Sequence, residues 1–258
     1  MEVYGRKLEM QAIIVHSLLL FGIFNETTYV LLSSNEAITY SENGWISLGG
    51  IGGEGQNKSL YIQQDTGTPC VAYMDQNLNT GYVDKYNSET WEHIGNPTAY
   101  HFDTLLKDGY GNISLGWWNG EIPTAPIVAY RKNDGNIYVK KLYKDVNFYW
   151  DNLGNNPIGY CQDPLTNAYK GIVSLVVVTT SVSPPKGKVY VAFRDGNNGG
   201  KVTVKACAID NPVWETVGEG SASASAAEYI NLIVLNNVPY IAYKDYANGG
   251  KITVRKYE

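Results

Sequence analysis

The chain has 258 residues, 44% of them hydrophobic, and a formal net charge of −5. That is enough apolar material for one large core, and a single closed β-ring commonly reaches this length. The acidic balance, with Lys and Arg scattered along the sequence, leaves no stripe that could track phosphates, so nucleic acid is not an expected partner.

The chain opens on Met1-Glu-Val-Tyr-Gly5, a degenerate form of a pattern that returns four times as Trp-x-x-aliphatic-Gly. The full copies are Trp45-Ile-Ser-Leu-Gly49, Trp91-Glu-His-Ile-Gly95, Trp150-Asp-Asn-Leu-Gly154 and Trp214-Glu-Thr-Val-Gly218. Consecutive copies begin 44, 46, 59 and 64 residues apart, and from Trp214 through the joined termini to Met1 is 45. Periods of this length mark propeller blades, and the wrapped interval predicts a ring closed by the two chain ends. Arg6, Lys7 and the apolar run from Ala12 to Phe24 mimic a signal peptide. The run holds Ser17-Leu18 in repeat register, so it is read as an inner strand, and it is too short to span a bilayer as a helix.

Each later unit repeats the same order of strands. An inner strand starts near Ser59-Leu60, Ser114-Leu115, Ser174-Leu175 and Asn231-Leu232. A second follows in Pro69-Cys-Val-Ala-Tyr73, Pro126-Ile-Val-Ala-Tyr130, Val189-Tyr-Val-Ala-Phe193 and Pro239-Tyr-Ile-Ala-Tyr243. A third alternates apolar and polar residues in Ile137-Tyr-Val-Lys140, Val202-Thr-Val-Lys205 and Ile252-Thr-Val-Arg255. The Trp segment is the fourth and outermost. The expected fold is therefore all-β: a single five-bladed propeller domain over 1–258, with four antiparallel strands per blade. Its blades cover approximately 12–49, 57–95, 112–154, 172–218 and 229–258 plus 1–5, with Met1 to Gly5 lying beside Lys251 to Tyr257.

These motifs, best seen in Pro239-Tyr-Ile-Ala-Tyr-Lys-Asp245 and Gly250-Lys-Ile-Thr-Val-Arg-Lys-Tyr257, resemble a tandem propeller repeat widespread in bacterial secreted and surface proteins. That resemblance implies a fold rather than an activity. Five blades are also similar to the architecture of tachylectin-type lectins, by analogy of fold alone.

Asp75, Asp195 and Asp245 follow the Ala-aromatic pairs, two of them opening Asp195-Gly-Asn-Asn-Gly-Gly-Lys201 and Asp245-Tyr-Ala-Asn-Gly-Gly-Lys251. Such clusters could bind a hard cation, but repeated turn chemistry explains them better, so no metal or cofactor is expected. The Trp copies likewise read as packing between blades. Cys70, Cys161 and Cys207 show no metal-ligand spacing, and a Cys161–Cys207 bridge is left open.

Two segments break the repeat, Gly95 to Asn112 and Gly154 to Gly171. Aligned by sequence, Tyr100, Asp103, Leu105 and Tyr110 match Tyr160, Asp163, Leu165 and Tyr169. Connections this long are usually functional. Both precede inner strands, so they are expected side by side on one face, walling a cleft. The candidate ligand-binding lining is Tyr100, His101, Asp103, Tyr110, Tyr160, Asp163 and Tyr169. Trp117 and Trp118 would enter it from below. Aromatic faces beside carboxylates suit sugar rings, although the same tyrosines could simply pack the loops onto the ring.

Three functions are weighed on this basis. The preferred one is a non-enzymatic module binding a glycan or a protein surface. The second is a structural or assembly subunit of a virion, appendage or surface layer, which leaves self-assembly open. The third is a glycosidase-like enzyme, disfavoured because the inner-strand starts read as His16, Lys58, Ile113, Val173 and Ile230, none of them acidic. The nearest acids are Glu54 and Glu228, with Asp103 and Asp163 on the loops.

Overall fold

A computed structural model describes residues 20–24, 27–31, 36–41, 44–52, 55–75, 77–95, 100–104, 113–120, 124–132, 134–145, 147–161, 173–182 and 185–258. Five antiparallel sheets follow one another along the chain. Sheet one holds β1 (Leu20–Phe24), β2 (Thr27–Leu31), β3 (Glu36–Ser41) and β4 (Gly44–Gly50). Sheet two holds β5 (Gly55–Ile62), β6 (Pro69–Asp75), β7 (Thr80–Tyr86) and β8 (Trp91–His93), with the short β9 (Asp103–Thr104) returning to pair with β7. Sheet three holds β10 (Ile113–Trp118), β11 (Ala125–Arg131), β12 (Asn136–Lys144) and β13 (Phe148–Asn152), with β14 (Gly159–Tyr160) returning to β12. Sheet four is β15 (Val173–Val182), β16 (Pro185–Asp195), β17 (Lys201–Ala208) and β18 (Glu215–Thr216). Sheet five is β19 (Ala227–Leu235), β20 (Val238–Asp245) and β21 (Lys251–Lys256). Met1 to Gly5, expected as its fourth strand, lie outside the described residues, as does the inner-strand start at His16.

The repeated dipeptides now have a physical role. The Leu115 N–H donates to the hydroxyl of Ser59 one sheet earlier, Leu175 to Ser114 and Leu232 to Ser174, at 2.9, 2.9 and 3.0 Å. A serine on each of these inner strands thus satisfies an amide of the next, and stitches first strands together where a ladder bond is absent. The outer tryptophans tie the rim in the same direction. Trp91 Nε1 donates to the Leu48 carbonyl (3.2 Å) and Trp214 Nε1 to the Leu153 carbonyl (2.7 Å), each reaching the aliphatic position of the preceding motif. Packing between sheets, read from the sequence for these residues, is what they do.

Between these two sets of bonds, the third strand of one sheet packs against the first two strands of the next. Val83 meets Ile113, Leu115 and Val128; Ile137 and Val139 meet Val173, Leu175 and Val191; Val202 and Val204 meet Ile230, Leu232 and Ile241. Side chains alternate across these strands, so one face of the strand packs on the neighbouring sheet. The three cysteines are free and buried in these layers, so Cys161 and Cys207 are not bridged. Burial pushes the Cys161 thiol up to about 11 and the Cys207 thiol to about 12, which leaves both unreactive at neutral pH.

The recurrent aspartates shape turns. Asp195 accepts the Asn197 N–H and the Thr203 hydroxyl, and Asp245 accepts the Ala247 N–H and the Thr253 hydroxyl. Each caps a single 3-10 turn, over Gly196–Asn198 and Tyr246–Asn248, closed by a left-handed glycine. Among the described residues no helix is long and apolar enough to cross a membrane.

Two boundaries differ from the sequence reading. Strands β10 and β15 start at Ile113 and Val173 as expected, but β5 and β19 start three residues earlier than Lys58 and Ile230. Both carry a register shift, between Gly55 and Lys58 and between Glu228 and Asn231. A bulge hides from a pattern of alternating residues because the extra residue reverses the phase. Its consequence is that a carboxylate, Glu228, belongs to an inner strand after all.

Candidate active site

The long connections do not align as their sequences suggest. Backbone bonds from Ile94 and Phe102 to Val83 and Gly81 of β7 correspond to those from Leu153 and Ile158 to Val139 and Ile137 of β12. Phe102 therefore matches Ile158, and Tyr160 matches Thr104 rather than Tyr100. What fixes the register is the apolar plug: Phe102 is fully buried over Gly81, where a Cβ would stand 2.2 Å from the ring. Tyrosine spacing, which drew attention in the sequence, follows no such constraint.

Of the nine expected lining residues six are described, and these have separate surroundings. Tyr110, Asp163 and Tyr169 lie outside the described residues. Tyr100 lies tilted against the His93 ring at 5.3 Å, beside the outer strand of sheet two, and His101 is half-buried next to it. Tyr160 pairs with Asn136 at the start of β12. Trp117 and Trp118 end β10, at the opposite end from the connection that enters it, and point into different cores. The Trp117 indole donates to Thr124 Oγ1 at 2.8 Å and stacks near Tyr61.

Asp103 is held in a closed arrangement. Its Oδ2 accepts the Tyr130 hydroxyl in a short hydrogen bond, and its Oδ1 lies 3.1 Å from Lys132 Nζ. Tyr130 is wholly buried, and burial, with Asp103 next in effect, raises its phenol far above the usual range. The trio clamps the connection after sheet two onto sheet three. A second buried carboxylate, Asp84 on β7, accepts the Tyr73 hydroxyl at 3.2 Å and contacts His93 Nδ1 at 2.6 Å. Burial raises the Asp84 carboxyl above its ordinary value, against the opposing pull of His93.

Glu228 is arranged differently. The bulge turns its side chain to face Lys244, its register partner on β20. Glu228 is buried, yet its Oε2 accepts the hydroxyl of Tyr246 at 2.6 Å and lies 3.4 Å from Lys244 Nζ. The Tyr246 ring is 45% exposed and Tyr229 65% exposed, with Lys244 Nζ at 5.0 and 5.9 Å from their centroids. Tyr229 holds a φ of 54°, a conformation unfavourable for an aromatic residue. Bulges and strained backbone recur beside functional sites, and here they carry an anion, an open phenol and a cation within hydrogen-bond reach of one another. The sequence signal for this site was Glu228 itself, set aside because the strand was read to begin two residues later. Among the described residues no cluster of His, Cys, Asp and Glu has the make-up of a metal site.

No family model and no curated protein matches this sequence. Solved structures do share its fold. A mutant form of AofleA from Arthrobotrys oligospora aligns over 93% of this chain and 68% of its own, with a TM-score of 0.57 and 12% identity. Trypanosoma rangeli sialidase, solved with 2,3-difluorosialic acid as a covalent intermediate, gives 0.57 and 14% over 93% of this chain and 43% of its own. A Hadza microbial sialidase gives 0.51 and 17% over 93% and 46%. The chain thus spans less than half of either sialidase. At these identities the likeness fixes an all-β, propeller-like fold. It also corrects the preferred functional reading: the expectation of a non-enzymatic glycan- or surface-binding module gives way, because glycosidases stand among the neighbours and an inner strand does carry a buried carboxylate.

Proposed function

We propose that the chain is a closed five-bladed propeller with glycosidase-like activity, and that Glu228 and Tyr246 are its reacting pair. The observation that carries this reading is the 2.6 Å hydrogen bond between a buried carboxylate and the hydroxyl of a tyrosine that is itself 45% exposed, at the bulged start of an inner strand. Most glycosidases use two carboxylates, but a tyrosine nucleophile replaces one of them in sialidases. In the proposed step Glu228 takes the phenolic proton as Tyr246 Oη bonds to the anomeric carbon and the glycosidic bond breaks, the aglycone leaving as its anion and taking a proton from solvent. Water then displaces the tyrosine and gives a proton to solvent, while Glu228 returns the phenolic proton to Tyr246 Oη. Lys244 sets a positive charge 3.4 Å from Glu228 Oε2, and the exposed Tyr229 and Tyr246 side chains offer faces for a sugar's C–H surface.

Glycosidase neighbours in fold support this reading, and the aromatic setting agrees with the sugar chemistry expected from the sequence. The test is hydrolysis of a panel of chromogenic aryl glycosides, sialosides included, by the wild-type chain and by Glu228→Gln. Release of aryl alcohol by the wild type, reduced at least about 100-fold in the variant, is expected. No turnover above buffer for any substrate, or turnover indifferent to Glu228→Gln, would overturn it.

A further inference from the structure

Sheets three and four close their outer strands with the same two backbone bonds. Leu153 N–H donates to the Val139 carbonyl and Ile158 N–H to that of Ile137, as Val217 does to Val204 and Ala222 to Val202, at 2.7 to 2.9 Å. The bonds enclose Gly154-Asn-Asn-Pro157 in one sheet and Gly218-Glu-Gly-Ser221 in the other. In sheet three a side chain fills the enclosed space. Asn156 Oδ1 accepts the Val139 N–H at 2.8 Å, and its Nδ2 donates to the carbonyls of Val139, Leu153 and Gly154 at 3.3, 3.2 and 3.1 Å. A primary carboxamide thus completes the end of that ladder, with its oxygen for an amide and its amino group for carbonyls. In sheet four the residue at this place is Gly220, which has no such group. The β17–β18 ladder ends at Lys205 opposite Thr216, as the β12–β13 ladder ends at Lys140 opposite Asn152. Val204, the counterpart of Val139, is buried and gives its carbonyl to Val217. Its N–H points to the same side of the strand and has no acceptor among the described residues. Buried amides without a partner are rare in folded chains. This one borders a cavity of about 180 Å³, lined among others by Val204, Val217, Gly218, Arg255 and Tyr257.

We infer that this cavity binds a primary carboxamide supplied by a ligand. The amide oxygen takes the Val204 N–H, and the amino group meets the carbonyls of Val204, Val217 and Gly218, the counterparts of those that hold Asn156. A carboxylate of the same shape suits the seat poorly, because its second oxygen would face carbonyls instead of donating to them. The remaining wall receives whatever carries the amide. The Tyr257 ring stands 3.1 Å from where a Gly218 Cβ would be, and the residue is 51% exposed. Arg255 is steadied beside it by a 3.0 Å bond from Nη1 to the Ala222 carbonyl. The carboxamide can belong to a small solute or to an Asn or Gln side chain of a peptide, and these differ in how much of that wall they cover.

The inference makes no use of the glycosidase reading, and its test reads no activity. Amide resonances of the purified full chain are followed as acetamide is added. The Val204 resonance should move and saturate, and its hydrogen exchange should slow at least about 10-fold. Val139, whose amide already has Asn156 Oδ1, should stay unchanged. Acetate and N,N-dimethylacetamide, which keep an acceptor oxygen but have no N–H, should leave Val204 where it was. Asn156→Ala should open a second acetamide site, reported at Val139. A capped peptide with one Gln that binds more tightly than acetamide makes a peptide the source of the amide, whereas equal affinity makes it a small solute. An unmoved Val204 resonance overturns the inference, and so do equal responses to acetamide and acetate. A folded Asn156→Ala chain with no acetamide site at Val139 overturns it as well. Should that variant fail to fold, the titration of the unaltered chain decides alone.

Discussion

Asp103 and Glu228 each sit between a tyrosine hydroxyl and a lysine ammonium, and the two trios nonetheless suit opposite purposes. Around Asp103 the phenol of Tyr130 has no access to solvent and the carboxylate joins a connection to a sheet. Around Glu228 the Tyr246 residue is 45% exposed and the backbone of the inner strand bulges at Glu228. Identical partners therefore do not define a reactive site; access does. A hydroxyl that no substrate can approach contributes stability, whereas an approachable one can contribute chemistry.

The strongest way to break this contrast is at the plug that keeps the first trio closed. Phe102→Ala should cost about 3–5 kcal/mol, because the cavity opens over Gly81 in a layer that cannot collapse onto a glycine backbone. Chemical denaturation should show this as a lower midpoint with an unchanged slope. A cost under about 1 kcal/mol would mean that the connection is only loosely seated.

At the second trio, Tyr246→Phe should lower glycoside turnover at least about 100-fold while the melting midpoint moves little, since an exposed hydroxyl supplies little net stability. Lys244→Met should have a smaller effect of the same kind. Without the ammonium the carboxylate loses the cation 3.4 Å from its Oε2, and turnover should fall. Unchanged turnover would deny Lys244 that electrostatic part.

The subtlest comparison concerns Asp84, also bonded to a tyrosine but with a histidine in place of the lysine. Its folded carboxyl is raised above the ordinary value by burial. The native state therefore binds that proton more tightly than the unfolded chain, and its contribution is complete below the unfolded value. That contribution is lost as pH rises through the folded one. Asp84→Asn should flatten this acid-side part of the stability–pH curve. The same slope in the variant would assign it to other groups.

The difference between the trios also explains what could be read from sequence. Repeats expose whatever is used at every interface, so the Ser-Leu dipeptides, the Trp motif and the Asp turns were legible as strand starts, packing and turns. The bonds from Leu115 to Ser59 and from Trp214 to Leu153 give the reason. A bulge is invisible to such a pattern, because one extra residue in β19 leaves the following alternation intact and only moves its beginning. Glu228 was therefore seen but placed outside its strand. The connections misled in the opposite way: recurring tyrosines looked like an alignment, while Phe102 and Ile158, chemically dissimilar, carry the equivalence.

The most direct test of the central claim is one paired measurement on Tyr246→Phe and Tyr130→Phe, recording glycoside turnover and melting midpoint for each. The account predicts a crossed result, with turnover lost and stability kept in the first, and stability lost by about 1–3 kcal/mol in the second as the Asp103 carboxylate loses its donor. Turnover that survives Tyr246→Phe unchanged would contradict it.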